Sequence, residues 1–142
     1  MALKPMKMNY FWVAVYNLTG GRLPQNGADD PVGILKLTTT GRKSGQPREV
    51  SLIYIKHGSD FAVAASNGGQ DKHPGWYFNL RSNPHVKVRI KGWQTNALAE
   101  VAGPQLRQQL WEQLVAAASM YAGYERRTRR EIPMILLRPE EA

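Results

Sequence analysis

The segment Thr39–Arg48 holds the residues best suited to binding an anion. Arg42, Lys43 and Arg48 place three positive charges within seven residues, and Ser44 adds a hydroxyl. Two glycines in the same segment let the backbone turn and approach a ligand closely. Charge-assisted hydrogen bonds and a nest of backbone amides can hold phosphate in such a loop. The residues alone leave two interpretations open, a phosphate site and a solvated turn between two strands.

A second segment, residues 64–80, combines small, glycine and aromatic residues in a way suited to the wall of a flat pocket. Ala64–Ser66 leave room at the end of a predicted strand, and planar ligands favour aromatic and aliphatic walls with few polar anchors. Trp76 and Leu80 lie one helical turn apart, so at least one of them is expected in the core. His73 precedes a proline in a loop, where a lone histidine is more often a cap or surface residue than a proton donor.

A third segment carries two tyrosines followed by a run of arginines. Tyr121 and Tyr124 lie three residues apart and would face one pocket on a helix. A tyrosine can stack on a ring and also donate a hydrogen bond or a proton. The four arginines within 126–130 suit nucleic acid. Such a run more often forms the solvated end of a helix, where cations favour the C-terminal turn.

The composition limits the class of protein. Lys and Arg number 19 against 11 Asp and Glu, and a net charge of +8 favours nucleic acid, an acidic membrane surface or a phosphorylated small molecule. The absence of cysteine excludes disulfides, thiolate metal sites and cysteine nucleophiles. The three histidines share no metal-ligand spacing, so no metal is expected. Neither a P-loop nor a dinucleotide-binding glycine pattern is present. No secretory signal is visible, so a cytoplasmic protein is expected.

Hydrophobic spacing predicts the elements that position these segments. Residues 5–18 form an amphipathic helix that packs on the domain or lies on a membrane surface. Further helices are predicted over 74–81, 105–120 and 122–129, and strands over 32–39, 49–56, 61–66, 86–91, 94–102 and 132–137. Hairpin connections favour antiparallel pairing. We therefore predict a single α+β domain over 1–142, with an N-terminal helix and loop over 1–30. The remainder, 31–138, is predicted to be a barrel of about six mostly antiparallel strands with flanking helices.

Three stretches together resemble the deazaflavin-dependent nitroreductase family. They read Thr-Thr-Gly-Arg-Lys-Ser-Gly-Gln-Pro-Arg at 39–48, Ala-Ala-Ser-Asn-Gly-Gly at 64–69 and His-Pro-Gly-Trp-Tyr-Phe-Asn-Leu at 73–80. Members of this family use the deazaflavin coenzyme F420 on a split β-barrel related to that of oxidoreductases that bind flavin mononucleotide (FMN). The resemblance extends over about residues 30–138. It implies a split-barrel fold and coenzyme F420, an 8-hydroxy-5-deazaflavin, as the cofactor.

The resemblance also implies a binding site, position by position. It places the phosphate and acidic tail of the cofactor against Arg42, Lys43, Ser44 and Arg48. It places the strand beside the cofactor at Glu49, Val50, Ser51, Leu52, Ile53 and Tyr54. It places the edge of the ring at Ala64, Ala65, Ser66 and Asn67. It places the opposite wall at Gly75, Trp76, Tyr77, Phe78 and Asn79, with Tyr124 closing the pocket.

The implied activity is hydride transfer from reduced F420 to an activated double bond, as in an enone or quinone, or to a nitro compound. Relatives that reduce nitroimidazoles have more tyrosines in the pocket, and two such positions are Ile53 and Arg127 here. This departure argues against nitroimidazole reduction and favours an enone or quinone. Ser66 and Tyr124 are the candidate catalytic residues, because each can donate a hydrogen bond to the developing negative charge.

Two rival functions stay open on the residues alone. One is an FMN-dependent reductase on the same barrel, and the other is a basic nucleic-acid-binding module. No aromatic residues are interleaved with the arginine run as single-strand stacking requires, so nucleic acid is not the expected partner. The expected partner is a small electrophilic substrate. A homodimer and a peripheral membrane contact through the N-terminal helix are left open.

Overall fold

The computed structural model describes residues 30–140, so the helix predicted over 5–18 lies outside the described residues. Within this range no helix has the length and apolar composition needed to cross a bilayer. The strands are β1 (Val32–Thr40), β2 (Pro47–His57), β3 (Asp60–Ala64), β4 (His85–Ile90), β5 (Trp93–Val101) and β6 (Met134–Pro139). The helices are α1 (Gly75–Ser82), α2 (Pro104–Ala117) and α3 (Met120–Arg127), with a short 3₁₀ helix at Asn67–Gly69.

The six strands close into one antiparallel barrel. Their order around the barrel is β1-β2-β3-β6-β5-β4, and β4 pairs back with β1 to complete the circle. Hairpins join β1 to β2, β2 to β3 and β4 to β5 in antiparallel register. The predicted barrel of about six antiparallel strands is confirmed.

Alternate strand residues fill the barrel interior, because successive side chains of a strand point to opposite faces of the sheet. On β2, the side chains of Leu52 and Tyr54 belong to the interior cluster, whereas Ile53 and Ile55 belong to a cluster outside the barrel. The fully buried interior residues include Leu35, Leu37, Tyr54, Phe61, Val63, Val88, Ile135 and Leu137. Tyr77 and Leu80 pack into the same cluster, so α1 covers the barrel interior.

The outer cluster joins α2 and α3 to the barrel. Leu110, Trp111 and Leu114 of α2 and Tyr121 of α3 pack on outward-facing residues of β2, β3 and β6. The buried side chain of Arg107 fixes α2 further, because its Nε donates to the carbonyl of Ile132 at 2.9 Å. This packing brings α3 next to the loop that follows β3.

Several element boundaries differ from the sequence prediction by a few residues, and two of these differences bear on the site. The helix predicted over 105–120 ends at Ala117, because Ala118 has an extended backbone (φ −142°, ψ 90°), and α3 starts separately at Met120. The strand predicted over 61–66 ends at Ala64. Ser66 instead has helical backbone angles and precedes the 3₁₀ helix, so the alternation of the strand no longer sets the direction of its side chain.

Candidate functional site

Residues 41–48, which we call the cationic turn, fold back on themselves at the end of β1. The amide of Gly41 donates to the carbonyl of Gln46 at 2.8 Å, and the amide of Gly45 donates to the carbonyl of Gly41 at 2.8 Å. The hydroxyl of Ser44 accepts from the amide of Gln46 at 3.1 Å. A Cβ at position 41 would lie 2.7 Å from the hydroxyl of Ser44 and 3.1 Å from the carbonyl oxygen of Gln46, so a larger residue here would displace Ser44 or the turn.

One buried amide joins this turn to α1. The Nδ2 of Asn79 donates to the hydroxyl of Thr39 at 3.1 Å, and its Oδ1 accepts from the backbone amide of Arg42 at 3.2 Å. The same Oδ1 accepts from Nη1 of Arg42 at 2.9 Å, and that nitrogen also lies 3.3 Å from the carbonyl of Gly75. The Arg42 guanidinium lies 5.2 Å from the ring centroid of Phe78. The resemblance implies that Asn79 lies on the wall of the cofactor pocket, which stays a prediction. The structure shows that Asn79 fixes the turn.

An open cavity of about 390 Å³ lies between the cationic turn and α1. It brings together nine of the residues predicted to bind the cofactor, and Gly41 in addition. The predicted residues that line it are Arg42, Lys43, Ser44, Arg48, Glu49, Val50, Gly75, Trp76 and Asn79. The sequence signal that could have pointed to Gly41 is its place directly before the charged residues.

The cavity carries a net positive charge. Among residues 30–140, the cations of Arg42, Lys43 and Arg48 have no carboxylate within salt-bridge distance. Glu49, the acidic residue of the lining, is paired outside the cavity. Its carboxylate oxygens lie 3.7 Å from Nζ of Lys36 and 3.8 Å from Nη2 of Arg89 on the outer barrel face. Three uncompensated cations beside a concave surface attract an anion.

The other predicted site residues lie away from this cavity lining, and their contact with a ligand stays a prediction. Ile53, Tyr54, Ala64, Ala65 and Tyr77 are buried in the two hydrophobic clusters. Ser51 is exposed, Leu52 packs against the interior cluster and Phe78 is 40% exposed beside Arg42. Ser66, Asn67 and Tyr124 form a separate group on the loop after β3 and on α3.

In this second group, the loop after β3 packs closely on α3. A Cβ at Gly69 would lie 3.0 Å from Cα of Tyr124, and Gly69 has a φ of +84°, so both the contact and the backbone angle require glycine. The ring of Tyr124 lies edge-on to that of Tyr121, with centroids 5.4 Å apart. Burial is the main reason that the pKa of Tyr121 lies far above its usual value. The Tyr121 hydroxyl therefore stays protonated at neutral pH.

Arg130 is the functional-site candidate that sequence reasoning missed. Its guanidinium donates to the carbonyl of Ser66 at 2.9 Å, to the carbonyl of Gln70 at 3.0 Å and to Nδ1 of His73 at 2.9 Å. The carboxylate of Asp71 in the same loop accepts from the hydroxyl of Thr128 at 3.1 Å. Part of the arginine run therefore contacts the loop after β3. The charge pattern of the sequence could not distinguish these contacts from the solvated end of a helix.

His73 is a neutral acceptor in this network. Nδ1 accepts from Arg130, which leaves the ring proton on Nε2, and the ring packs 4.4 Å from that of Tyr77. Burial, with the positive charges of Arg130 and Arg81, lowers the pKa of His73. His73 is thus neither a free surface residue nor a helix cap, because it packs on Tyr77 and accepts a hydrogen bond from Arg130.

The barrel, the cationic turn and the aromatic helix beside it define a split-barrel protein that binds an anionic cofactor. A family model described as F420H(2)-dependent quinone reductase matches residues 11–139. The chain belongs to this family. It is thus an oxidoreductase with coenzyme F420 as its cofactor, and the predicted family, fold and cofactor are confirmed. This assignment decides against the FMN-dependent and nucleic-acid-binding interpretations.

Individual relatives agree with the family. An F420H(2)-dependent quinone reductase of Mycobacterium tuberculosis is 37% identical over 128 residues, which cover 87% of this chain and 85% of the relative. A solved structure described as an F420-H2 dependent reductase has 37% identity and a TM-score of 0.68, over 73% of this chain and 92% of that chain. A structure described as a domain-swapped dimer has 32% identity and a TM-score of 0.65, over 93% of this chain and 96% of that chain.

The first prediction concerns the hydrogen bonds by which Asn79 connects Thr39 and Arg42. Thr39→Val removes the acceptor of a buried N–H and should lower the free energy of unfolding by about 1–3 kcal/mol. It should also weaken F420 binding, because Asn79 holds Arg42 in place. Thr38→Val, on the outward face of the same strand, is the matched control and should change stability by less than about 0.5 kcal/mol. Urea unfolding measures the stability of both variants. Equal stability of the two would contradict the role given to Asn79.

The second prediction follows from the lowered pKa of His73. The unfolded chain takes up a proton on His73 at a higher pH than the folded chain does, so this residue favours the folded state above its unfolded pKa of 6.5. That contribution is lost as the pH falls from 6.5 through the lowered folded pKa. His73→Asn keeps an acceptor but cannot be protonated, so its unfolding free energy should fall less between about pH 8 and about pH 5. Identical pH dependence in both proteins would show that Arg130, Arg81 and partial burial do not lower the pKa of His73.

Proposed function

We propose that the cavity between the cationic turn and α1 holds the phosphate and acidic tail of F420, and that the chain reduces a quinone. The observation that carries this proposal is the set of three cations that line the cavity beside Trp76 and have no carboxylate partner among residues 30–140. The cofactor has both a phosphate and glutamate carboxylates, so its charge is complementary to these cations.

The residues present fit such a group. Lys43 and Arg48 are exposed at the cavity, where they can donate charge-assisted hydrogen bonds to an anion. Arg42 shares one guanidinium nitrogen between Asn79 and Gly75. Its charge therefore faces the ligand from a fixed position. Trp76 is partly buried against the barrel interior and offers a rigid aromatic surface.

When bound, reduced F420 supplies a hydride, and the protein supplies binding, orientation and hydrogen bonds. Reduction of a quinone to a hydroquinone takes one hydride and one proton, and negative charge develops on a carbonyl oxygen of the quinone. We assign Ser66 and Tyr124 as the hydroxyl donors to that oxygen. One such donor typically contributes about 10²–10³ to the rate of a reaction that develops an oxyanion.

The position of Arg127 supports a quinone as the acceptor. Its guanidinium lies 5.9 Å from the ring centroid of Tyr124, and its Nη1 lies 3.5 Å from the carbonyl of Gly68. A cation beside the proposed donor Tyr124 would stabilise the oxyanion of a reduced quinone or enone. Ile53, the other position where nitroimidazole-reducing relatives have tyrosine, is buried in the outer cluster. The family model, described as F420H(2)-dependent quinone reductase, favours a quinone over a nitroimidazole as the acceptor.

Two further parts of the proposal concern partners. The solved relative described as a domain-swapped dimer supports a homodimer for this chain. A peripheral membrane contact rests on the amphipathic pattern of residues 5–18, where Lys4 and Lys7 flank aromatic residues. Sedimentation with and without vesicles of anionic lipid would test both parts, since it reports the mass of the protein and its attachment to lipid.

The third prediction tests the cofactor site. Arg48→Gln removes one cation from the cavity and should raise the Kd for F420 about tenfold, because a hydrogen bond to a charged group contributes about 1.5–3 kcal/mol. Lys87→Gln removes the same charge from the outer barrel face and should change Kd less than about twofold. Titration of F420, followed by its fluorescence anisotropy, measures both. The difference between the variants should shrink in high salt, and equal Kd values in dilute salt would refute the proposed site.

A further inference from the structure

The loop Ser66–His73 surrounds the side chain of Arg130 and accepts three hydrogen bonds from it. The three acceptors of the Arg130 guanidinium lie at the first, fifth and last residues of this loop: the carbonyls of Ser66 and Gln70, and Nδ1 of His73. All three hydrogen bonds are 2.9–3.0 Å long. The loop is thereby held at both ends and near its middle by a residue outside it.

The same loop is held against α3 by separate contacts. Gly69 packs against the backbone of Tyr124 without room for a Cβ. The carboxylate of Asp71 accepts from the backbone amide of Arg129 at 3.2 Å as well as from Thr128. Because Arg130 follows these residues directly, it continues the connection between α3 and the loop. Ser66 and Tyr124 therefore belong to two segments that Arg130 and its neighbours hold together.

We infer that Arg130 is a positioning residue of the reductase, which fixes Ser66 relative to Tyr124 for hydrogen bonding to the electrophilic substrate. This inference rests on the proposed role of those two hydroxyls. A donor helps only if it lies within hydrogen-bond distance of the oxygen that becomes charged, and misplacement by about 1 Å can cost a factor of about 10² in rate. Arg130 thus acts on the reaction through Ser66 and contacts no reacting atom itself.

The planar fork of arginine is what this position requires. Nε, Nη1 and Nη2 of Arg130 each donate to a different acceptor, and a guanidinium holds these three donors in a fixed planar fork. A lysine has the same charge, but its compact ammonium cannot reach three acceptors arranged around a guanidinium. Arg130→Lys therefore removes the geometry of the contact and keeps the charge.

The fourth prediction compares Arg130→Lys with Arg126→Lys, an exposed position of the same arginine run that serves as the control. Arg130→Lys should lower kcat with 2-methyl-1,4-naphthoquinone about tenfold and leave the Kd for F420 within about twofold. Hydrogen exchange of the loop amides, measured without cofactor, should accelerate while that of the barrel strands stays unchanged. Arg126→Lys should match the wild-type protein in all three measurements.

Each outcome of these measurements supports or overturns the positioning role of Arg130. An unchanged kcat, or a kcat and an F420 affinity that fall together, would overturn the inference. So would global unfolding of both Arg130→Lys and Arg130→Gln, because Arg130 would then be needed for the whole domain. If the wild-type protein itself fails to bind F420 or to reduce the quinone, the proposed function fails. A wild-type protein that turns over at the same rate as Arg130→Lys shows that the Arg130 inference alone is wrong.

Discussion

The proposed cofactor site depends on one buried side-chain amide. Asn79 donates to Thr39 at the end of β1 and accepts from both the backbone and the guanidinium of Arg42. A buried amide without partners is costly, so the strand, the turn and α1 can pack only in the arrangement that satisfies it. That arrangement holds the cationic turn opposite Trp76 and creates the cavity. The barrel supplies one rigid wall of the cavity, but the Asn79 amide fixes the position of the cationic turn relative to α1.

The second constraint is the distribution of charge around the cavity. Glu49 lies in the lining, yet Lys36 and Arg89 take up its charge on the outer face of the barrel. The cations on the cavity side have no such partner among the described residues, and this asymmetry makes the site selective for an anion. The end of the site where we propose that the reaction takes place is built differently. There, contacts between neutral backbone carbonyls and Arg130 order the loop that carries Ser66, so the two halves of the site use arginine for different purposes.

The strands and the charged turn could be predicted from the sequence because their signals are local. Alternation of apolar residues marked the strands, and the glycines and charges of residues 41–48 marked the turn. The role of Asn79 could not be predicted, because its partners Thr39 and Arg42 lie about 40 residues away and only the closed barrel brings them together. Arg130 was missed for the same reason. Apolar residues that continue through Ala65 predict a strand as far as residue 66. The amide of Ala65 still donates to the carbonyl of Pro133 beside β6, but Ser66 has helical backbone angles, so the strand ends before it.

We propose that the cationic turn and α1 together hold the cofactor, and a crystal structure of the chain in complex with F420 would show whether they do. We expect the phosphate of F420 within hydrogen-bond distance of the Lys43 or Arg48 side chain, with the Asn79 contacts unchanged. A structure in which the turn faces bulk solvent, with the deazaflavin bound elsewhere, would contradict it.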